Sequence, residues 1–195
     1  MEYFEKIYST EHPSEYEVQV ENVERCITPE MNKYLLEAFG AEEVRYAINQ
    51  MHPTKSLGPN GMSLLFYQKY WEVVSPYVTK CVLQILNSGS LPCVLNETYI
   101  CLILKVQCPQ KITEFRPINL CNVIYKIVSK VLANRLKRIL PKVIGEAQSA
   151  FVPGRQITDN VFVAFETMHS IKSKRKGKTR LMVVKLDMSK AYDRV

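Results

Sequence analysis

A short apolar run near the C-terminal end of the sequence is the feature that most constrains the fold. Residues 180–186 read RLMVVKL, and this β-branched, apolar pattern predicts a buried β-strand. Asp187 follows directly. A carboxylate at the end of a buried strand suits a metal or substrate site, because the strand fixes its position. Asp187 is also a favoured N-cap for a helix over residues 188–195, and the local pattern alone favours that second interpretation.

Composition indicates a globular intracellular chain. Its 195 residues are 47% hydrophobic and 23% charged, enough to bury a core in one domain or in a domain and part of another. No apolar run approaches the roughly 18 residues that span a bilayer, and MEYFEKIYST is too acidic for a signal peptide. The six cysteines form no CxxC pair and only three histidines accompany them, which argues against a zinc site. We expect reduced, mostly buried thiols.

Charge is distributed unevenly along the chain. Residues 1–50 carry a net charge of −7, whereas residues 51–195 carry +14. An excess of Lys and Arg among aromatic residues is typical of a protein that binds a polyanion, and nucleic acid is the commonest one. A basic but merely solvated surface is the alternative that charge alone leaves open.

Local patterns predict mostly helices at the start of the chain. Thr28, Pro29 and Glu30 mark a helix start, and Gly40 ends that helix before a second one over about 41–51. The GPNG stretch that follows is a turn cluster, in its simplest interpretation a linker between helices.

The rest of the chain alternates helices with a few short strands. A helical pattern covers residues 63–87, with a break at Ser75 and Pro76 and with Trp71 on the buried face. A second helix is predicted over 122–140, capped by Asn122 and closed by Pro141, and a third over 158–172. Strand-like segments are TYICLILKV, ending near Lys105, and FRPINL, where Pro117 disfavours helix at Arg116. The basic run KSKRKGKTR precedes the final predicted strand.

Five motifs stand in an order and spacing that resembles a known family. They are GPNG, LPxxLNxTYIxLILK, FRPINL, QSAFVPGR with ITDN, and VVKLDMSKAYDRV. Together they resemble the reverse transcriptase of non-LTR (LINE-type) retrotransposons, with plant-like wording, over roughly residues 40–195. A group II intron maturase is a weaker resemblance. The family commonly has LIPK and GPDG where this chain has LILK and GPNG.

The resemblance implies an α+β fold, a right-hand polymerase of which this chain holds a truncated part. Residues 1–40 would be an acidic N-terminal helical extension, residues 41–179 the helix-rich fingers with short strands, and residues 180–195 the incomplete start of the palm, including its first strand. The partners implied are an RNA template, a DNA primer and deoxynucleotides, with no membrane.

The resemblance also assigns the metal chemistry. Asp187 matches the first catalytic aspartate, a ligand of both metals, and Met188 would add its backbone carbonyl to one of them. The implied metal is Mg2+, because two such ions assist nucleotidyl transfer and hard cations prefer carboxylate oxygen.

Further residues are matched to the nucleotide. Tyr192 matches an aromatic residue beneath the incoming sugar that excludes a ribose 2′-hydroxyl, with a core tyrosine as the alternative. Arg116 resembles the fingers arginine that grips the triphosphate, since a guanidinium fork suits phosphate oxygens. Lys105 is a lesser candidate that would contact nucleic acid or cap a carbonyl.

Template contacts are implied for a loop and a basic run. Gln148, Phe151 and the neighbouring small residues match the loop beneath the templating base. Arg155 would contact the template backbone or cap a carbonyl. Lys174, Arg175 and Lys176 belong to a basic run that is either a solvated loop or a site of phosphate contact or nuclear import.

One departure from the family limits the implied activity. The family requires a later aromatic-x-Asp-Asp hairpin, and no Asp-Asp pair occurs in these 195 residues. A single carboxylate does not hold two divalent cations against their hydration, so we expect this chain alone to be inactive. Two hypotheses follow: part of an RNA-directed DNA polymerase, or a non-catalytic nucleic-acid-binding remnant of a retroelement.

Overall fold

The structure is a computed structural model that describes residues 3–5, 9, 25–150, 152–174 and 181–186. Within these residues the chain is helix-rich with one small sheet, which confirms the predicted α+β class. The described helices are α1 (Pro29–Leu36), α2 (Ala41–Gln50), α3 (Leu64–Lys69), α4 (Trp71–Ser88), α5 (Cys93–Asn96), α6 (Val123–Val143) and α7 (Ile157–Ser173). The strands are β1 (Thr98–Leu104) and β2 (Phe115–Cys121), and a 3-10 turn at Ile112–Glu114 directly precedes β2.

The first two helices begin where their capping residues predict. The Thr28 hydroxyl accepts a hydrogen bond from the Met31 amide at 3.3 Å, with Pro29 in the first turn of α1. At Gly40 the backbone is extended, and its amide donates to the Glu43 carboxylate at 2.9 Å, which fixes the start of α2.

Two predicted helix breaks at prolines are wrong. The break between α3 and α4 lies at Tyr70, and Pro76 sits inside α4. Similarly, α6 continues through Pro141 to Val143. Pro76 is the sixth residue of α4 and Pro141 lies two residues before the end of α6, so each helix loses one internal hydrogen bond and keeps the others.

The structure divides into two compact units, residues 27–139 and residues 1–26 with 140–195. In the first unit, α2, α4 and α6 share an apolar core that includes Val44, Ile48, Val82, Ile127 and Val131, each at most 1% exposed. Each such side chain contributes about 1.5–3 kcal/mol on burial. Trp71 is half-buried against this core. The domain boundaries implied by the family resemblance stay predictions.

The two strands form an antiparallel hairpin in the first unit. Thr98 pairs with Cys121 at one end and Leu104 with Phe115 at the other, which confirms both strand segments. Every residue of β1 is exposed. A two-stranded sheet cannot cover either of its own faces, so the apolar side chains of this hairpin remain exposed.

The thiols are more exposed than composition predicts. Four of the six cysteines, Cys26, Cys93, Cys101 and Cys108, are exposed, and Cys81 and Cys121 are intermediate. The prediction of mostly buried thiols is therefore wrong. Cys93 and Cys101 lie on a four-residue helix and on the exposed β1, neither of which contributes residues to the buried core.

In the second unit, helix α7 and residues 181–186 leave their apolar side chains largely exposed. Helix α7 confirms the predicted helix but buries none of its residues, and Phe162 and Phe165 are at least 65% exposed. Residues 181–186 are assigned no strand and are all exposed, so the predicted buried strand is wrong for this segment. An apolar pattern forms a strand only with a partner strand to bond.

Among the described residues, no helix is long and apolar enough to cross a bilayer.

Candidate nucleic-acid interface

The β1–β2 hairpin positions the predicted fingers arginine. Arg116 lies in β2 directly opposite Ile103 of β1, so the two side chains share one face of the hairpin. Lys105 follows two residues after Ile103, and its amide donates to the Glu114 carbonyl at 2.8 Å, which extends the pairing past the end of β1. Because strand residues alternate between faces, Lys105 lies on the same face as Arg116.

The two cations of this face differ in availability. Lys105 donates through Nζ to the Thr113 carbonyl at 2.9 Å, one of the two alternatives that the sequence left open for it. Arg116 is exposed, and its guanidinium makes no hydrogen bond or ion pair to any described residue. Its five donors are therefore all available to an anionic ligand.

The GPNG turn packs tightly against the start of α6 and is more than a linker. A Cβ at Gly58 would lie 2.6 Å from the Asn122 Cα and 2.7 Å from the Cys121 carbonyl oxygen. Only glycine fits such an approach of backbone to backbone. Gly61 has φ of +68°, and the Asn60 side chain accepts from the Met62 amide at 3.3 Å, so the turn is fixed at both ends.

A lysine of α6 holds the same loop from the other side. Lys126 donates through Nζ to the Ser56 carbonyl at 2.5 Å and to its hydroxyl at 3.3 Å. Burial lowers the pKa of Lys126, and the nearby Lys55 lowers it further. The loop before GPNG is therefore fixed beside the first turn of α6, with Lys55 added to the charge of the helix.

Asn122 has a different role from the predicted helix cap. Its side chain is buried and donates through Nδ2 to the Val94 and Leu95 carbonyls at 3.3 and 3.5 Å. Its Oδ1 has no partner among the described residues, so it does not cap α6. The amide instead ties α5 to the end of β2, because the carbonyls of a four-residue helix lack partners within the helix.

Arg135 forms the densest polar cluster of the first unit and was missed at the sequence level. Its guanidinium pairs with both oxygens of the Glu43 carboxylate at 2.7 and 2.8 Å. It also donates to three carbonyls at the C-terminal end of α1. The distances are 3.2 Å to Leu35 and 3.0 Å to Ala38, and the third carbonyl is that of Glu37. The Phe39 ring lies 3.5 Å from the guanidinium carbon.

The position of Arg135 in α6 was the available signal. It lies four residues after Val131 and four before Ile139, which places it on the buried stripe of the helix. An arginine on an apolar stripe requires a carboxylate or several carbonyls as partners.

Arg155 occupies the carbonyl end of α6. It donates through Nη1 to the Gly145 and Gln148 carbonyls at 2.6 and 2.7 Å, and through Nη2 to the Ile144 and Pro141 carbonyls at 3.1 and 3.5 Å. A cation is favourable there because the last carbonyls of a helix carry partial negative charge. This is the carbonyl-capping alternative, and it brings Gln148 and Arg155 together.

Several predicted site residues lie outside the described residues, namely Phe151, Arg175, Lys176, Asp187, Met188 and Tyr192. Lys174 is exposed at the end of α7. Within the described ranges, no three or more His, Cys, Asp or Glu side chains lie together in a way that could hold a metal ion. Asp187, around which the resemblance places Mg2+, is not in those ranges.

Comparison with known protein families agrees with the motifs. Residues 103–195 match the family described as reverse transcriptase (RNA-dependent DNA polymerase). The matched range contains FRPINL, QSAFVPGR and the KLDMSKAYDRV stretch. It therefore contains every site residue predicted from the resemblance.

A curated relative extends the likeness toward the N-terminus. The chain is 34% identical over 154 residues to the protein named "Transposon TX1 uncharacterized 149 kDa protein" from Xenopus laevis. The match covers 79% of this chain and 12% of that protein, so the chain spans about an eighth of the relative's length. The chain is thus similar to reverse transcriptases over residues 103–195 and to a transposon protein over 154 residues. The non-LTR type and a plant source stay predictions.

Proposed function

We propose that this chain is part of an RNA-directed DNA polymerase, comprising the fingers and the entry to the palm. The observation that carries the proposal is the reverse transcriptase match over residues 103–195, which includes both the arginine of FRPINL and Asp187. The exposed, unpartnered guanidinium of Arg116 supports it, because a triphosphate needs such a fork of donors.

In this proposal Asp187 and the Met188 carbonyl would hold Mg2+, which would supply positive charge to stabilise the reacting phosphate. Carboxylate and carbonyl oxygens are the ligands that this ion prefers. Tyr192 lies beneath the sugar and sterically rejects a 2′-hydroxyl. Arg116 grips the triphosphate, and Lys105 supports it from the same hairpin face once its carbonyl bond exchanges for phosphate.

The proposed partners are an RNA template, a DNA primer and deoxynucleotides in an intracellular setting. Gln148, Phe151 and Arg155 contact the template, and Lys174, Arg175 and Lys176 contact phosphates further along. Because Arg155 is bonded to carbonyls and not to a carboxylate in the described structure, its full positive charge still acts on a passing phosphate.

A primer-extension assay tests the proposal. These 195 residues alone should extend no primer, since no Asp-Asp pair occurs among them. A longer protein that continues in frame through such a pair should extend a DNA primer on RNA with Mg2+. In that protein Asp187→Asn should lower the rate by orders of magnitude while folding survives. Normal extension by Asp187→Asn would contradict the assignment.

Tyr192→Ala serves as the matched variant in the same assay. It removes a steric wall and no charge, so extension with deoxynucleotides should continue while ribonucleotide incorporation rises. The non-catalytic alternative is a nucleic-acid-binding remnant of a retroelement. Reading the transcript beyond Val195 decides between the two, since a remnant would show no in-frame pair.

A further inference from the structure

Helix α6 carries an uncompensated positive face. Its 21 residues include six Lys or Arg and no acidic residue. Lys126, Lys130 and Lys137 are spaced by four and seven residues, which places them on one face of the helix, away from the buried stripe. Together with Lys55 of the preceding loop they form what we name the basic row: Lys55, Lys126, Lys130 and Lys137.

The basic row has no acidic counterpart in the described part of the chain. The ion pair found there, between Arg135 and Glu43, lies on the buried side of α6. Burial lowers the pKa of Lys130, and its neighbours Lys137 and Lys55 lower it further. No lysine of the row forms an ion pair with a described carboxylate, and lysines that repel each other create a positive potential that favours a polyanion.

An open pocket of about 290 Å³ adjoins the end of the basic row. Helices α1, α2 and α6 line it, and Lys137 belongs to both the pocket and the row. The Arg138 guanidinium lies 5.2 Å from the Tyr34 ring, and the Tyr46 ring is 60% exposed. The pocket therefore combines three cations and two tyrosine rings with the Glu43 carboxylate, which pairs with Arg135 and leaves Lys137 and Arg138 without a carboxylate partner among the described residues. Cations and aromatic rings are the groups that hold the phosphate and the base of an unpaired nucleotide.

An amide beside this pocket lacks a partner. Asn134 lines the pocket, and its Nδ2 has no hydrogen-bond partner among the described residues. A buried donor without a partner costs about 1–3 kcal/mol, which an acceptor on a bound base or phosphate would recover.

We propose that the basic row and the adjoining pocket bind a segment of single-stranded RNA, with phosphates along Lys126, Lys130 and Lys137 and one unpaired base between Tyr34 and Tyr46. From Lys126 to Lys137 the row extends about 16 Å along the helix axis, long enough for several phosphates of one strand. A duplex keeps its bases stacked and leaves the tyrosine pocket empty.

This surface deepens the proposed function, since it rests on RNA as the template, but it lies on α6 and not on the hairpin face of Arg116. Primer extension and RNA binding are separate measurements. A protein that polymerises DNA but binds RNA equally well without the row would overturn this inference alone. If the basic row binds RNA but a longer protein that contains it extends no primer, the proposed polymerase function would be overturned and this inference would stand.

The test is fluorescence anisotropy of a labelled 12-nucleotide oligouridine with the full 195-residue chain. Lys130→Gln with Lys137→Gln should weaken binding about tenfold at about 50 mM salt and reduce the slope of log affinity against log salt by about 1.4. The matched control, Lys69→Gln with Lys80→Gln, removes two exposed lysines elsewhere and should stay within about twofold. Equal losses in the two double variants would overturn the assignment.

Tyr46→Ala tests the base contact without changing charge. It should weaken binding of the single strand about fivefold or more and leave a duplex of equal length unaffected, because stacking requires an unpaired base. Polyglutamate should displace the RNA poorly. Tighter binding of the duplex, unchanged binding by Tyr46→Ala, or equal displacement by polyglutamate would overturn the proposal. Unchanged urea midpoints confirm that each variant is folded.

Discussion

Arg135 and Arg155 solve the same local problem in two different regions of the molecule. Each places a guanidinium against carbonyls at the C-terminal end of a helix, α1 for Arg135 and α6 for Arg155. Arg135 is 5% exposed and also binds the Glu43 carboxylate. Arg155 is partly exposed and bonds only to carbonyls among the described residues.

The difference shows how solvent access decides what an arginine requires. A buried guanidinium is stable only with a carboxylate and well-placed acceptors, so Arg135 is committed to structure. At a partly exposed site, water supplies the missing solvation, and carbonyl partners suffice. The charge of Arg155 is therefore not neutralised by a neighbour and can act on a phosphate. The charge of Arg135 is neutralised by Glu43 and cannot.

The largest expected effect is that of Arg135→Met. The substitution keeps an apolar side chain on the buried stripe but leaves the Glu43 carboxylate and three carbonyls without their donor. We expect a loss of about 3 kcal/mol in the free energy of unfolding, the lower end for a broken buried pair, because Glu43 keeps about a third of its surface in water. Urea denaturation followed by circular dichroism measures it, and a loss below about 1 kcal/mol would contradict the structural role.

A double-mutant cycle isolates the ion pair from the carbonyl bonds. Glu43→Gln keeps an acceptor for the Gly40 amide but removes the charge opposite Arg135, and it should cost about 1–2 kcal/mol. The double variant with Arg135→Met should be more stable than the sum of the two losses predicts, by about 1 kcal/mol. Simple additivity in the urea midpoints would show that the pair contributes nothing beyond its separate partners.

Acid should weaken the Arg135 site, because its partner Glu43 can be protonated, but not the Arg155 site, whose described partners are carbonyls. The hydrogen bond from Arg135 lowers the pKa of Glu43 below its ordinary value, although burial opposes the shift. A carboxyl whose pKa is lowered in the folded state stabilises the fold above its unfolded pKa of about 4.3, and the contribution is lost as pH falls through the folded value. Stability of residues 27–139 should therefore drop below about pH 4 in the natural protein and drop less in Glu43→Gln. Equal acid dependence in the two proteins would contradict the assignment.

The smallest effect is expected for Arg155→Met. Water replaces the guanidinium at the partly exposed carbonyls, so the loss should be about 1 kcal/mol or less and confined to the end of α6. Hydrogen exchange should report it at the Gln148 amide, which donates to Gly145 at 3.2 Å. Exchange should be faster there and unchanged at the core of α6. A global loss of stability equal to that of Arg135→Met would remove the distinction between the two sites.

Much of the fold could be predicted because it depends on neighbours in sequence. The Thr28 cap fixes the start of α1 within three residues, and the strand patterns around Lys105 and in FRPINL predict both halves of the hairpin. The proline breaks were wrong because the remaining hydrogen bonds and the core contacts of α4 and α6 hold each helix together despite the one lost bond, and local sequence does not show those core contacts.

Interactions over long separations could not be predicted. The acceptors of Arg135 lie 92 to 100 residues away, and the backbone that excludes a Cβ at Gly58 belongs to β2 and α6. Residues 181–186 were wrongly predicted as a strand because a strand also requires a partner that the pattern does not specify. The catalytic residues from Asp187 onward stay predictions that follow from the family resemblance.

The contacts of α6 also set the order of events during synthesis. Arg135 bonds to groups 92 to 100 residues earlier, and Lys126 bonds to Ser56, 70 residues earlier. The ribosome therefore releases α1 to α5 before the helix that joins them exists. Contacts so distant in sequence close slowly, so the earlier helices wait with their apolar faces uncovered. For this chain, the apolar side chains that α6 covers stay exposed until residue 139 has been synthesised.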